Sequence, residues 1–348
     1  MEERYILVML TIFSDLQRVH KPEYIMRAGK YAQSYDMPER IDSILSAISE
    51  SDLGPVIAPD DAGLEPVRAV HDEGMIQYLA TAYTQYNLNN ENPTPVFPDY
   101  FPPPGQRNRP ECFAGRKGFY CIDMETPIDK DTWDVATASA HCAWTGAIRL
   151  RSGESCVYAL CRPPGHHAGQ DFFGGYCYLN NAAIAARALG EGGERVAILD
   201  IDYHHGNGTQ AIFYYDPLVW YGSLHIDPDT AYPYFAGYTD EIGSGEGQGA
   251  NRNMPLPPGI NQSQYISALE RLLEHLMAFD TRWLVVSAGF DTYVRDPLST
   301  FQITTSGFHE IGSRIHTLDR PTLVVQEGGY FVPDLGLNVV ALLSGVLG

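Results

Sequence analysis

Basic residues are scarce in this chain. Its 348 residues carry 23 Lys and Arg against 43 Asp and Glu, a formal net charge of −20. Such a surface repels a phosphate backbone, which excludes nucleic acid as a natural partner and favours a cationic ligand. Cysteine is sparse as well. The six thiols, Cys112, Cys121, Cys142, Cys156, Cys161 and Cys177, form no C-x-x-C pair and lack the density of a disulfide scaffold. They read as reduced residues in the core of a cytoplasmic protein. Long apolar runs are missing too. The run Tyr5–Leu10 follows two glutamates, the wrong polarity for a secretory signal, and the tail Val339–Leu347 is far too short to cross a bilayer. No membrane association is expected. A G-x-S-x-G elbow is absent, which argues against a serine hydrolase, and the glycine-rich run Gly243–Gly249 fits neither the dinucleotide fingerprint nor the phosphate loop.

What is abundant is apolar sequence in short blocks. Hydrophobic residues make up 44% of the chain and charged ones 19%, a composition suited to a packed core. The blocks Tyr5–Leu10, Val157–Cys161, Val196–Leu199, Val219–Leu224, Trp283–Ser287 and Thr322–Gln326 are rich in Val, Ile and Leu without alternation, as in strands covered on both faces. Stretches of helical spacing lie between them, at Asp131–Arg151, Asn180–Leu189, Gln262–Phe279 and Gly307–Leu318. The alternation predicts an α/β fold with a parallel sheet. With no repeat and no long polar linker, residues 1–348 read as one domain. Residues 87–118 stand out as a proline-rich insertion. Between Asn92 and Pro110 seven prolines are interleaved with Phe97, Tyr100 and Phe101, so the segment is expected to be an ordered loop over a cleft or at a subunit interface.

The residues that follow the strands carry the chemistry. Val157–Cys161 leads into Arg162-Pro-Pro-Gly-His166-His167, and Val196–Leu199 into Asp200-Ile-Asp202-Tyr-His204-His205-Gly-Asn207. Trp283–Ser287 leads into Ala288-Gly-Phe-Asp291, and Thr322–Gln326 into Glu327-Gly-Gly-Tyr330. Carboxyl ends of strands in an open α/β sheet face the ligand crevice, so four of them deliver histidines, carboxylates and a tyrosine to one rim. Asp202 and His204, two residues apart on an extended segment, point the same way. With Asp291 they supply O, N and O ligands, the three-ligand set of a catalytic zinc site with an open position; iron(II) and cobalt(II) suit the same donors. His166 and His167 beside them suit acid–base work, with Asp200 as a supporting partner. Tyr330, after two glycines, suits a hydrogen-bond donor to a developing oxyanion.

These motifs resemble the histone deacetylase superfamily. The matching segments are Pro164-Gly-His-His-Ala168, Gly175-Tyr-Cys-Tyr-Leu-Asn180, Leu199-Asp-Ile-Asp-Tyr-His-His-Gly-Asn-Gly208, Ser223-Leu-His225, Gly289-Phe-Asp291 and Glu327-Gly-Gly-Tyr330, with Val70-His-Asp-Glu-Gly-Met-Ile weaker in the amino-terminal part. The length and the insertion are most similar to bacterial acetylpolyamine amidohydrolases. The resemblance implies an arginase-like three-layer fold around a mostly parallel sheet of about eight strands, and zinc on Asp202, His204 and Asp291. It implies His167 as general base, His166 as its partner backed by Asp200, and Tyr330 polarising the acetyl carbonyl. Gly175 and Tyr176 with Tyr232 fall where that family lines its substrate tunnel. A structural potassium ion would use Asp200, the backbone at Asp202 and His204, and Ser223 with Leu224.

Two departures from the family pattern stand out. Asn207 takes the place of an aspartate behind the second histidine, and Tyr176 that of a phenylalanine, adding a hydroxyl that can meet an amine in the tunnel. The expected reaction is hydrolysis of an acetylated amine to acetate and free amine, with small cationic acetylated amines as ligands. Glu111, at the end of the insertion, is the first candidate for a distal ammonium, and Glu125 the second. The exposed aromatics predict a homodimer through residues 92–110. Deacetylation of acetyl-lysine in proteins is the competing activity, and silent binding of acyl groups a remote one.

Overall fold

The computed structural model describes residues 8–106 and 108–348. Eight parallel strands build its central sheet: β1 (Leu10–Ile12), β2 (Val56–Ile57), β3 (Cys156–Ala159), β4 (Val196–Asp200), β5 (Val219–Ile226), β6 (Asn251–Leu256), β7 (Trp283–Ala288) and β8 (Thr322–Gln326). Their order is β2-β1-β3-β8-β7-β4-β5-β6. A separate two-stranded ribbon pairs Ile25–Arg27 with Lys30–Ala32.

Why the strands lack alternation is visible in their neighbours. Along β3, Cys156, Tyr158 and Leu160 enter one core while Val157, Ala159 and Cys161 enter another. Along β4, Ala197 and Leu199 face the first core, Val196 and Ile198 the second. Both faces are dry, so both must be apolar. The first core is closed by helices Glu39–Glu50, Gln262–Phe279, Thr305–His316 and Val332–Leu347, the second by Glu73–Tyr86, Thr132–Arg151 and Asn181–Leu189. The result is a three-layer α/β architecture, with helices on both faces of a parallel sheet.

Central elements fall where periodicity places them, with Thr322–Gln326 and Gln262–Phe279 matching residue for residue. The edges differ. Tyr5, Ile6 and Leu7 of the first apolar run lie outside the described residues, and the strand at that end is Leu10–Ile12, where Thr11 pairs with Val56 and Tyr158. The edge strand Asn251–Leu256 carries three polar residues and a proline, which hid it from a search for apolar blocks. The proline-rich segment is ordered against the body, as its aromatics imply. Val96 exchanges backbone hydrogen bonds with Ile128, Phe97 stacks on Tyr24 at 5.7 Å, and Asp99 pairs with Lys117. Tyr100 and Phe101 remain 75% and 45% exposed.

Candidate active site

The sequence-predicted residues converge where β3, β4, β7 and β8 end. Ligand atoms of Asp202, His204 and Asp291 all lie within 4.8 Å of one another. His204 Nδ1 sits 3.0 Å from Asp291 Oδ2 and 3.4 Å from Asp202 Oδ1. The convergence does not arise from strand alternation as expected, because β4 stops at Asp200. Asp202 and His204 occupy the following turn, where the His204 N–H donates to Asp202 Oδ1 at 2.8 Å and the Tyr203 N–H to Asp291 Oδ1 at 2.9 Å. Those bonds aim the side chains. Glycine next door is obligatory: a Cβ on Gly289 would lie 1.9 Å from Asp202 Oδ2.

Two buried carboxylates facing each other repel, a problem that a shared proton or a bound cation relieves. Burial and Asp202 push the Asp291 pKa up to about 7, while Asp202 itself is held low because His166 and His204 outweigh its burial. The donor set and this repulsion fit a divalent ion. A second close group, His166 with Cys177 and Glu327, does not. The Glu327 oxygens already accept from the Gly165 and His166 N–H groups at 2.7 and 3.1 Å and from the Ser287 hydroxyl at 2.6 Å, so Glu327 fixes the loop that carries the histidine pair.

The two histidine rings lie side by side, centres 4.0 Å apart and tilted by 47°, but their partners differ. His166 Nδ1 is 3.1 Å from Asp200 Oδ2, which also accepts from the Tyr221 hydroxyl at 3.0 Å. Burial alone would lower the His166 pKa, yet Asp202 and Asp200 outweigh it and raise it to about 10. A cation on Asp202 would take back part of that rise. His167 Nδ1 meets Asn207 Oδ1 at 2.7 Å. Burial and the neighbouring imidazoles hold His167 well below the ordinary histidine range, so it is neutral. Its Nδ1–H donates to the Asn207 oxygen, which leaves Nε2 as the basic nitrogen.

Tyr330 is held by its backbone. The Tyr330 and Phe331 N–H groups donate to Asp296 Oδ2 at 2.6 and 3.1 Å, and Arg40 grips the carbonyls of Glu327 and Gly329. Arg40 is itself buried with Arg162 against Asp36, at 2.7 and 2.9 Å. The Tyr330 hydroxyl has no protein partner among the described residues and lines the cavity; burial raises its pKa, so it remains a donor.

That cavity, of about 460 Å³, is walled by His167, His204, Tyr330, Tyr176 and Tyr232. The Tyr232 ring stands edge-on to His167 at 4.8 Å and the Tyr176 ring edge-on to Tyr330 at 5.8 Å. Gly175 has φ +57°, and a Cβ there would strike the His167 ring at 2.3 Å, so the wall closes on the imidazole only with glycine. Arg27, Asp123 and Glu125 complete the rim. Of these, only Glu125 was anticipated; Arg27 and Asp123 sit in stretches without a motif. The Tyr176 hydroxyl is not free to meet an amine, for Arg27 Nη2 and Glu125 Oε2 hold it at 2.5 and 3.3 Å. Glu111 is exposed and does not line this cavity. Asp200 and Ser223 lie in register on β4 and β5, and the Ser223 hydroxyl bonds His225 Nδ1 at 2.7 Å.

The chain is similar to known proteins over nearly its whole length. The histone deacetylase domain family matches residues 34–346. Acetylpolyamine amidohydrolase 1 of Pseudomonas aeruginosa is 42% identical, with 98% of this chain and 99% of that protein covered. The acetylpolyamine amidohydrolase of Mycoplana ramosa is 40% identical over 98% of this chain and all of its own length. Among solved structures, an acetylpolyamine aminohydrolase from Burkholderia pseudomallei superposes with a TM-score of 0.93 at 39% identity, covering 97% and 98% of the two chains. The HDA15 HD domain superposes with 0.80 at 26% identity, over 98% of this chain and 91% of that one.

Proposed function

The chain belongs to the histone deacetylase family, and from that premise we propose that it hydrolyses N-acetylated polyamines, of the acetylputrescine, acetylcadaverine and acetylspermidine type, to acetate and free amine. What carries the reading is the meeting of Asp202, His204, Asp291, His167 and Tyr330 around one cavity. Full-length similarity to relatives named for acetylpolyamines supports the substrate.

Asp202, His204 and Asp291 would hold a divalent ion, zinc first and iron(II) or cobalt(II) with the same donors, and the bound ion supplies Lewis acidity toward the acetyl oxygen and water. His167 Nε2 takes the proton of the attacking water, its ring oriented by Asn207. The Tyr330 hydroxyl donates to the oxygen that becomes negative as the carbonyl turns tetrahedral. His166, charged between Asp200 and Asp202, supports that anionic state, and the imidazole pair returns a proton to the leaving amine. Tyr176, Tyr232 and Gly175 form the slot for the methylene chain. Asp200, Ser223, Leu224 and the backbone at Asp202 and His204 are proposed to hold a structural potassium ion. A cytoplasmic location completes the proposal; among the described residues no helix is long and apolar enough to cross a membrane.

Side-by-side kcat/KM values for acetylputrescine, acetylspermidine and an acetyl-lysine peptide test the substrate. The acetylpolyamines are expected to lead, and a peptide hydrolysed as well as they are would return the protein to the lysine deacetylases. Elemental analysis of the same preparation tests the ion. One divalent metal per chain is expected, with activity lost on chelation; full activity without stoichiometric metal would sink the ligand assignment.

A further inference from the structure

Arg27 stands in the cavity wall with nothing to do in the reaction just derived. It ends the first strand of the Ile25–Ala32 ribbon, just before a turn in which Ala28 and Gly29 take φ of +51° and +73°. The ribbon is pinned to the segment carrying Glu125, because the Met26 N–H donates to the Met124 carbonyl at 2.9 Å. Three partners then fix the guanidinium. Its carbon lies 5.0 Å above the Tyr35 ring, its Nε donates to both Glu125 oxygens at 3.0 Å, and its Nη2 donates to Glu125 and to the Tyr176 hydroxyl.

A guanidinium has five N–H donors. Three, on Nε and Nη2, face these partners. The two on Nη1 have no acceptor among the described residues, and the side chain is 30% exposed on the cavity that holds His167, His204 and Tyr330. Two consequences follow. Glu125 is already occupied in a paired contact, so a substrate ammonium would share it with a fixed guanidinium, and the pair presents no net charge. The two Nη1 N–H groups, by contrast, have no protein acceptor among the described residues and can donate to a carboxylate without rearrangement.

We propose that Arg27 is a specificity-determining residue whose Nη1 edge binds a carboxylate at the far end of the substrate, so that N-acetylated amino acids, acetylated on a side-chain or chain-end nitrogen, are hydrolysed alongside acetylpolyamines. This rests on the deacetylase reading above. The step is the same hydrolysis: the water oxygen bonds to the acetyl carbon, the amide C–N bond breaks, and the water's proton goes to the amine, giving acetate and the free amino acid. An acetylated amino acid with both ammonium and carboxylate is uncharged overall, so the −20 surface does not repel it.

The test uses three acetamides with the same four-carbon reach: N-butylacetamide, N-acetylputrescine and 5-acetamidopentanoate, neutral, cationic and anionic at the far end. Each is assayed with the metal-loaded wild type, Arg27→Gln and Arg27→Lys. Wild type is expected to hydrolyse 5-acetamidopentanoate at least as efficiently as N-butylacetamide. In Arg27→Gln the ratio of anionic to neutral kcat/KM should fall by roughly 10- to 100-fold, mainly through KM, the usual loss for a charged hydrogen bond. Arg27→Lys, which keeps the charge and loses the fixed Nη1 donors, should fall between. A merely structural role would lower all three substrates together and leave the ratio unmoved. N-acetylputrescine hydrolysed with that ratio unmoved would overturn the carboxylate subsite alone. Hydrolysis of none of the three would overturn the deacetylase reading and this inference with it.

Discussion

At Tyr330 the phenol hangs from a turn whose backbone is gripped by Asp296 and Arg40, while its hydroxyl is left without a protein partner among the described residues. That combination separates chemistry from folding. Removing the hydroxyl empties no core and breaks no internal bond, but it removes a donor aimed at the cavity. Tyr330→Phe should therefore lower kcat by roughly 10²- to 10³-fold, the range for loss of one oxyanion donor, with KM and melting temperature little changed. Steady-state kinetics beside a melting curve check this; a wild-type kcat would make Tyr330 a packing residue. The residue scale is also where sequence reading was strongest. Asp202, His204, Asp291, His166, His167, Asn207 and Tyr330 all belong to compact motifs. Arg27, Asp123, Asp36 and Arg40 lie in segments with no motif, and their partners are brought to them only by folding.

Elements are tied together at His71, just ahead of helix Glu73–Tyr86. Its Nδ1 meets the Gly169 carbonyl at 2.8 Å, and its Nε2 accepts from the Asn180 N–H at 2.9 Å, so one neutral ring joins that helix to the histidine-pair loop and to the start of helix Asn181–Leu189. Acceptance at Nε2 requires the unprotonated ring. Burial lowers the His71 pKa to about 4, and burial likewise brings His20 and His225 to about 4. Each folded pKa is depressed below the ordinary value of about 6.5, so the unfolded chain takes up protons first as pH falls. Stability is then full above pH ~6.5 and is lost on acidification toward pH ~4. At pH 5 the loss is on the order of 2 kcal/mol per histidine. Asp129, Asp291 and Glu327, each raised to about 7 by burial, act with the opposite sign between pH 7 and pH 5, so the test is the difference between proteins. In urea unfolding at the two pH values, acidification should cost His71→Gln less stability than it costs the wild type. An equal change in both proteins would mean that the fold does not hold the His71 ring neutral. Among elements, the central strands were legible because both of their faces are dry, whereas the polar edge strand Asn251–Leu256 was not.

For the whole molecule the open matter is what covers the proline-rich segment. Its inner side is seated on Tyr24 and Ile128, yet Tyr100 and Phe101 point outward on a surface that a monomer has no reason to keep apolar. We expect residues 92–110 to pair across a two-fold axis, the commonest closed assembly. The same contact would bring Glu111, exposed and away from the cavity of its own chain, toward the cavity of a second copy. Light scattering should give the mass of two chains, and Tyr100→Ser with Phe101→Ser should give one. Glu111→Ala should raise KM for acetylspermidine more than for a neutral acetamide. A one-chain mass for the intact protein would remove both expectations.

The alternation of apolar blocks with helical stretches was enough, by itself, to determine the parallel α/β sheet, because burial on two faces leaves its mark in consecutive residues. The stretches that carry Asp202, His204, Asp291 and the histidine pair were legible as well, since a strand end delivers neighbouring residues to one rim. What only the tertiary structure decided is how the wall of the cavity is paired: Tyr176, Tyr232 and Glu125 were marked in the sequence, Arg27 and Asp123 were not. Arg27, Asp123, Glu125, Tyr176 and Tyr232 come from positions as much as 205 residues apart along the chain (from 27 to 232), and no local pattern encodes which of them pair. Arg27 takes Glu125 and Tyr176 because a ribbon hydrogen-bonded to Met124 sets it there, a long-range contact that sequence spacing does not carry.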